Sequence, residues 1–295
     1  MPTTFRKYLE LIRFSHTLFA LPFAMLGMIM AIHENRTVLP FFPLRTLDFP
    51  GILICMVFAR SAAMAFNRLV DRNIDAKNPR TAGRHLPTRQ LGLQSVLVFV
   101  VLCSLGFIGG TALFLPRNPI PIITSVPVLL FLLGYSFAKR FTLLAHWWLG
   151  AALMLSPIAA WVAVRPVFSW APVLLGLAVC FWTAGFDIIY ALQDERFDRE
   201  QKLFSIPAKW GIRNALRMAA VCHLMMIFFL VMLPFVYPEF GMIFQIGIGL
   251  IFIVLFMEHL LVRPDDPKRI NLVFFWLNIF VSLAILLIGI IDIFY

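Results

Sequence analysis

Two short acidic stretches carry the residues best suited to chemistry. The first reads FNRLVDRNIDAKNPRTAGRHLP and places Asn67, Asp71 and Asp75 at every fourth position. At about 100° per residue, a step of four drifts only about 40°, so all three share one face if the helix runs on past its apolar part. The second reads DIIYALQDERFDRE and holds Asp187, Tyr190, Asp194 and Asp198. In a continuous helix Asp194 and Asp198 fall about 20° to either side of Asp187, a narrow stripe of carboxylates. The stretches are in register: Asn67 and Tyr190, Asp71 and Asp194, and Asp75 and Asp198 are each 123 residues apart.

Carboxylates crowded in this way repel one another, so something cationic must offset them. Magnesium is suited to that task. It takes one or two carboxylates per ion and completes its octahedron with water and phosphate oxygens. A diphosphate bridged between two such clusters loses charge as a leaving group, so its departure from an allylic lipid becomes feasible. An acidic residue among Arg and Lys on a loop is commonly just a solvated charge. Two stretches with matched spacing argue for a site instead.

The elements that must position these stretches are apolar. Of 295 residues 61% are hydrophobic and only 14% are charged, against about 25% charged in a soluble domain. Lipid must therefore be the solvent for much of the chain. Runs long enough to cross a bilayer fall at about 14–33, 50–67, 91–114, 119–137, 143–164, 171–193, 214–236, 240–262 and 271–294. Backbone groups in hydrocarbon must pair within their own segment, so the spans are helices. Of the 25 Lys and Arg, 20 cluster in the N-terminus and after spans two, four, six and eight, with Arg217 in the first turn of span seven counted among them. The other loops hold Arg36, Arg45, Arg117 and Arg165, and Arg60 lies inside span two. This bias puts the N-terminus and both acidic stretches in the cytoplasm and the C-terminus outside. The formal charge of +10 follows from that topology, and no soluble basic module suggests nucleic acid. Cys55, Cys103, Cys180 and Cys222 sit singly in apolar runs and read as small buried residues. Trp147, Trp148, Trp161 and Trp170 near span ends read as interfacial anchors. No linker or soluble segment interrupts residues 1–295, which read as one all-α domain. The matched motifs, four spans apart, suggest two related four-helix halves plus a ninth helix.

The pair N-x-x-x-D-x-x-x-D and D-x-x-Y-x-x-x-D-x-x-x-D resembles that of the UbiA superfamily of intramembrane prenyltransferases. RTAGRHLP at 80–87, Tyr135 and Lys139 in GYSFAKRFT, and LGAALMLSPIAAW at 149–161 resemble further stretches of that family. The second motif resembles the 4-hydroxybenzoate polyprenyltransferase branch. Arg68 departs from the family pattern, which has Asp after the first Asn, and this removes one carboxylate. The wording NRLVDRNIDAKNPRT also resembles a sub-branch linked to futalosine-type menaquinone synthesis, whose acceptor would be a dihydroxynaphthoate.

The resemblance implies a nine-helix bundle in a bacterial inner membrane, with a central cavity open to the cytoplasmic side. It implies transfer of a polyprenyl group from polyprenyl diphosphate to an aromatic acid in quinone biosynthesis, with Mg2+. Asp71, Asp75, Asp194 and Asp198 are the catalytic candidates. With Asn67 and Asp187 they are also the metal-ligand candidates. Substrate binding is expected of Arg60, Asn67, Arg68, Arg72, Tyr135, Lys139, Asp187 and Tyr190. Arg68 and Arg72 are suited to phosphate by the guanidinium fork, although Lys77, Arg80 and Arg84 also flank the first motif and spacing does not say which one reaches it. Arg60 lies seven residues before Asn67 and so shares its face about 10.5 Å deeper. A charge at that depth needs a partner, either the acceptor's carboxylate or a polar group on another span. His16 reads as interfacial packing, and Ser205 and Pro207 in KLFSIPAKWG lie in a loop that could cover the site. The rival reading is an ion-coupled transporter, which pseudo-repeats and intramembrane charge also suit. Its carboxylates would usually sit near the midplane, whereas these cluster at one face.

Overall fold

The computed structural model describes all residues except 1–3, 14–16, 39–40, 43 and 264–265. His16 lies outside the described residues. Eleven α-helices follow in order: α1 Thr4–Leu11, α2 Thr17–Thr37, α3 Asp48–Lys77, α4 Leu93–Thr111, α5 Ile120–Gly134, α6 Ala145–Val164, α7 Trp170–Ala191, α8 Glu195–Glu200, α9 Ile206–Met232, α10 Met242–Leu261 and α11 Pro267–Phe294. Among the described residues, nine helices are long and apolar enough to cross a membrane. They match the nine apolar runs of the sequence. The main difference lies at the N-terminus, where the basic segment folds as the separate helix α1 and the first span starts only at Thr17.

Two compact units form. One comprises the described residues of Met1–Thr17 and Arg45–Phe137; the other comprises those of Leu18–Leu44 and Ala138–Tyr295. The units do not follow the repeat suggested by the motifs, because α2 packs with the helices of the second unit. The reason is close backbone approach. A Cβ on Gly27 of α2 would lie 2.5 Å from the carbonyl oxygen of Pro157 on α6. Ser282 on α11 also donates to Leu18 O at 3.0 Å, and Tyr237 to Met30 O at 3.3 Å.

In the first unit α3 packs on α4 through Gly106 and Gly110, whose absent Cβ atoms leave room for Phe58, Ile54 and Cys55. Without a hydrophobic drive between helices in lipid, such small residues set the contact. Helix α1 lays Leu11 and Ile12 against Ala65, Leu69 and Leu91. At the opposite end of α3, fully buried Asp48 pairs with Arg117 at 3.0 Å, and Arg45 donates to the carbonyls of Leu113 and Leu115 at 3.1 Å. In the second unit Arg165 lies 3.3 Å from Glu34 and donates to Asn35 at 2.9 Å. Three of the four basic residues that depart from the loop charge bias are thus tied into helix ends. Trp161 is corrected from the interfacial reading: it is fully buried and donates to Val167 O at 3.2 Å. Trp170 remains exposed at 58%.

The run L-G-x(6)-P also acquires a packing reason. A Cβ on Gly150 would lie 2.2 Å from the carbonyl oxygen of Cys180 on α7, so α6 and α7 touch backbone to backbone there. Gly150→Ala should force the two helices apart and destabilise the fold by about 1–3 kcal/mol. Gly109→Ala, with nothing within 4 Å of its added Cβ, should be tolerated. Thermal unfolding of both variants in detergent checks this, and equal midpoints would refute it.

Candidate active site

In the first unit α3 is unbroken through its polar end. Its 30 residues span about 45 Å, longer than ~30 Å of hydrocarbon, so an end must project. Asn67, Asp71 and Asp75 therefore do share a helix face. Asn67 donates its amide to Asp71 Oδ2 at 2.9 Å, and Asn67 Oδ1 accepts from Arg68 Nη1 at 3.3 Å. Arg68 is buried and Asp71 half-buried.

Asp75 is treated differently. It is buried, and Arg84 Nη1 approaches both of its oxygens, at 2.7 and 2.8 Å. The chain gets there by a reversal after Lys77. Asn78 caps the helix, its Oδ1 accepts from Arg80 N at 3.0 Å, and Thr81 Oγ1 donates to Asp75 O at 3.0 Å. The stretch after the first motif is thus a fold-back that returns one guanidinium to a buried carboxylate, which needs such a partner. Of the basic residues flanking the motif, Arg84 takes this place. Arg72 is exposed, and its Nη1 donates to Leu69 O of its own helix at 2.8 Å.

Arg60 lies two turns deeper on α3. It is half-buried, and its Nε is shielded from solvent with no hydrogen-bond partner among the described residues. The salt bridges between described residues do not include it. Among the described residues, no ion pair joins Arg60 to another span.

In the second unit the continuous stripe expected of Asp187, Asp194 and Asp198 is interrupted. Helix α7 ends at Ala191, a 3-10 turn covers Leu192–Asp194, and α8 starts at Glu195. The tighter turn changes the angular step, so Asp194 and Asp198 depart from the register of α7. Both are buried, at 6% and 3% exposure. Lys139 Nζ lies 3.8 Å from Asp198 Oδ2, too far for a hydrogen bond, and that oxygen has no hydrogen-bond partner among the described residues. Tyr190 packs against Phe274 with ring centroids 4.4 Å apart and the rings tilted by 40°. Tyr135 and Lys139 belong to one 3-10 stretch, Tyr135–Arg140, but to different compact units.

Asp187 is bound by a residue that sequence reasoning missed. His146 is fully buried, and its Nδ1 lies 2.7 Å from Asp187 Oδ2. The available signal was weak: a lone imidazole in the first turn of an apolar span, three residues before the L-G-x(6)-P run begins. Ser205 is also fully buried and caps α9 by accepting from Ala208 N at 3.4 Å.

No three His, Cys, Asp or Glu among the described residues converge to hold a metal ion. Magnesium needs no such cage, since water and phosphate complete its shell. Asp71 in the first unit, half-buried, and Asp198 in the second, with one oxygen that has no hydrogen-bond partner among the described residues, are each hard donors of the kind the ion takes. Asp75, with both oxygens on Arg84, is the least available carboxylate.

A model of the UbiA prenyltransferase family matches residues 20–280. A 4-hydroxybenzoate octaprenyltransferase of Nitrosomonas eutropha is 31% identical over 233 residues, 75% of this chain and 77% of that one. A protoheme IX farnesyltransferase of Thioalkalivibrio sulfidiphilus is 29% identical over 89% of this chain and 85% of its own. Among solved structures, the apo UbiA homolog from Aeropyrum pernix K1 superposes with a TM-score of 0.77 at 29% identity, covering 95% of this chain and 97% of that one. A UbiA homolog from Archaeoglobus fulgidus bound to GPP and Mg2+ shares the fold, with a TM-score of 0.69 at 17% identity over 98% of this chain and 100% of that one. Nine apolar spans with polar, charge-compensated helix ends now have their explanation: the chain is an integral membrane protein and belongs to the UbiA prenyltransferase family.

Proposed function

We propose that this chain, as a single transmembrane prenyltransferase domain, transfers a polyprenyl group from polyprenyl diphosphate to the ring of an aromatic acid of the 4-hydroxybenzoate type. The N-terminus and both acidic helix ends face the cytoplasm of a bacterial cell. The observation that carries the reading is the arrangement on α3: an acidic face at the projecting end and, two turns deeper, a guanidinium with a buried, unpaired Nε. The 4-hydroxybenzoate octaprenyltransferases among the relatives support it, and membership of the family favours transfer over ion-coupled transport.

Asn67 and Asp71 in the first unit, and Asp187, Asp194 and Asp198 in the second, would each hold Mg2+, and Asp75 would join the first set when its pair with Arg84 opens. When bound, the ion neutralises the departing diphosphate. Arg68 and Lys139 add positive charge beside these carboxylates and bind phosphate oxygens. The allylic C–O bond breaks and its electron pair leaves with the diphosphate. The ring carbon beside the phenol attacks the allylic carbon, and the displaced ring proton goes to water. Arg60 orients the acceptor: its fork pairs with the carboxylate and holds the ring about 10.5 Å below Asn67. Tyr135 in the first unit and Tyr190 in the second are further substrate-binding residues in this reading. A dihydroxynaphthoate carries the same carboxylate. The wording of the first motif favours it as the second acceptor, which would place the enzyme in menaquinone rather than ubiquinone synthesis.

Purified enzyme with Mg2+, a polyprenyl diphosphate and a panel of 4-hydroxybenzoate, dihydroxynaphthoate and protoheme tests the assignment. Prenylation of neither acid would overturn it. Asp71→Asn and Asp194→Asn should each leave less than about a tenth of the activity in folded protein, since ~1.4 kcal/mol of transition-state stabilisation is already tenfold. Arg68→Ala should raise the KM for prenyl diphosphate alone, and unchanged KM values would assign Arg68 to packing. Arg60→Lys keeps the charge and loses the fork. It should raise the KM for the aromatic acid by roughly fivefold or more, as the loss of a charge-assisted hydrogen bond implies, and leave that for prenyl diphosphate alone. An unaltered acid KM removes Arg60 from the acceptor site.

A further inference from the structure

The imidazole of His146 faces two different elements. Its Nε2 lies 3.3 Å from the backbone nitrogen of Ile206, the first residue of α9. A backbone N–H can only donate, so Nε2 must accept and carries no proton. In a neutral ring the proton then sits on Nδ1, where it donates to Asp187 Oδ2 at 2.7 Å. A doubly protonated ring would set an N–H against the Ile206 N–H in a fully buried place. The tautomer is therefore dictated from α9, and the carboxylate at the start of the second motif receives its donor as a consequence.

The segment before α9 is fastened to the same neighbourhood. Leu203 N donates to Asp198 O at 2.8 Å and Phe204 N to Lys139 O at 2.7 Å. With Ile206, three backbone amides of a four-residue stretch end on Asp198, Lys139 and His146. Gly211, at φ +75°, then breaks the helical path, a conformation that glycine adopts without steric cost. The short piece 206–210 is thus a separate arm, free to take its direction from these ties and not from the span that follows.

We propose that His146 is a positioning residue that makes the orientation of Asp187 and the seating of the 203–208 arm a single coupled state. One nitrogen holds the carboxylate and the other holds the arm. The ring cannot release either without changing its proton or its angle, in the manner of the histidine–carboxylate pairs that orient metal ligands from behind. One oxygen of Asp187 is engaged by His146, which leaves the other to face a cation. The consequence for prenyl-diphosphate binding rests on the function proposed above; the latch itself does not.

The test uses the full chain in detergent. Hydrogen–deuterium exchange of the 203–208 amides should quicken at least tenfold in His146→Ala. His146→Gln offers a carbonyl to Ile206 and an N–H to Asp187, and should restore most of the protection. Coupling also requires the reciprocal effect: Asp187→Ala, which removes the contact with His146 and no hydrogen bond to the arm, should quicken the same amides. In nitrogen-15 spectra of the unaltered protein, His146 should show a protonated Nδ1 and a bare Nε2. In turnover, His146→Ala should raise the KM for prenyl diphosphate and the magnesium half-saturation at least fivefold, leave the acid KM unchanged, and recover in His146→Gln. The opposite tautomer, unchanged exchange in Asp187→Ala, or failure of a folded His146→Gln to restore protection would each overturn the latch. Quickened exchange with unchanged diphosphate KM would overturn the coupling to substrate. Absence of turnover with every substrate would count against the proposed function and leave the exchange and tautomer results to decide the latch.

Discussion

Hydrocarbon offers a backbone amide nothing to bond with. That constraint governs this molecule more than any single contact. It makes the nine apolar segments helical and confines irregular backbone to their ends. Most polar machinery must then sit where helices stop. Arg60 on α3 is one departure, with its Nε buried and without a hydrogen-bond partner among the described residues; His223 on α9 and Asn278 on α11 are others.

Charge at the helix ends is managed by local pairing. Asp48 has Arg117, Glu34 has Arg165, Asp75 has Arg84, Asp187 has His146, and Asp198 has Lys139 within 4 Å. The pairs are not equivalent. Where both oxygens are engaged, as in Asp75, the carboxylate is spent on structure. In Asp198 one oxygen has no hydrogen-bond partner among the described residues, and Lys139 stands 3.8 Å from it. The same residue type at the same spacing thus meets two different surroundings, set by the partner that a distant segment supplies.

Helix association follows a second rule, since lipid gives no hydrophobic reward for packing. Backbones meet at glycine: Gly27 on Pro157, Gly150 on Cys180, and Gly106 and Gly110 on the α3 side chains. The approach of Gly150 to Cys180 places α6 against α7, where His146 lies within bonding distance of Asp187. A packing residue three positions after Trp147 is in this sense a precondition for the geometry of the second motif.

Helix number, helix class and the shared face of Asn67, Asp71 and Asp75 were legible in the sequence, because each depends on local properties: run length, backbone hydrogen bonding and the period of 3.6 residues. The register of Arg60, two turns before Asn67 on one continuous helix, was legible for the same reason. The partners were not. Arg84 rather than Arg72 reaches Asp75 because the chain reverses through Asn78 and Thr81. Asp194 and Asp198 leave the stripe because three residues tighten into a 3-10 turn. Trp161 is buried because α6 turns that face inward, and His146 finds Asp187 across 41 positions of sequence. Local periodicity carries no information about which distant segment returns to a helix end, and only the tertiary structure decides that.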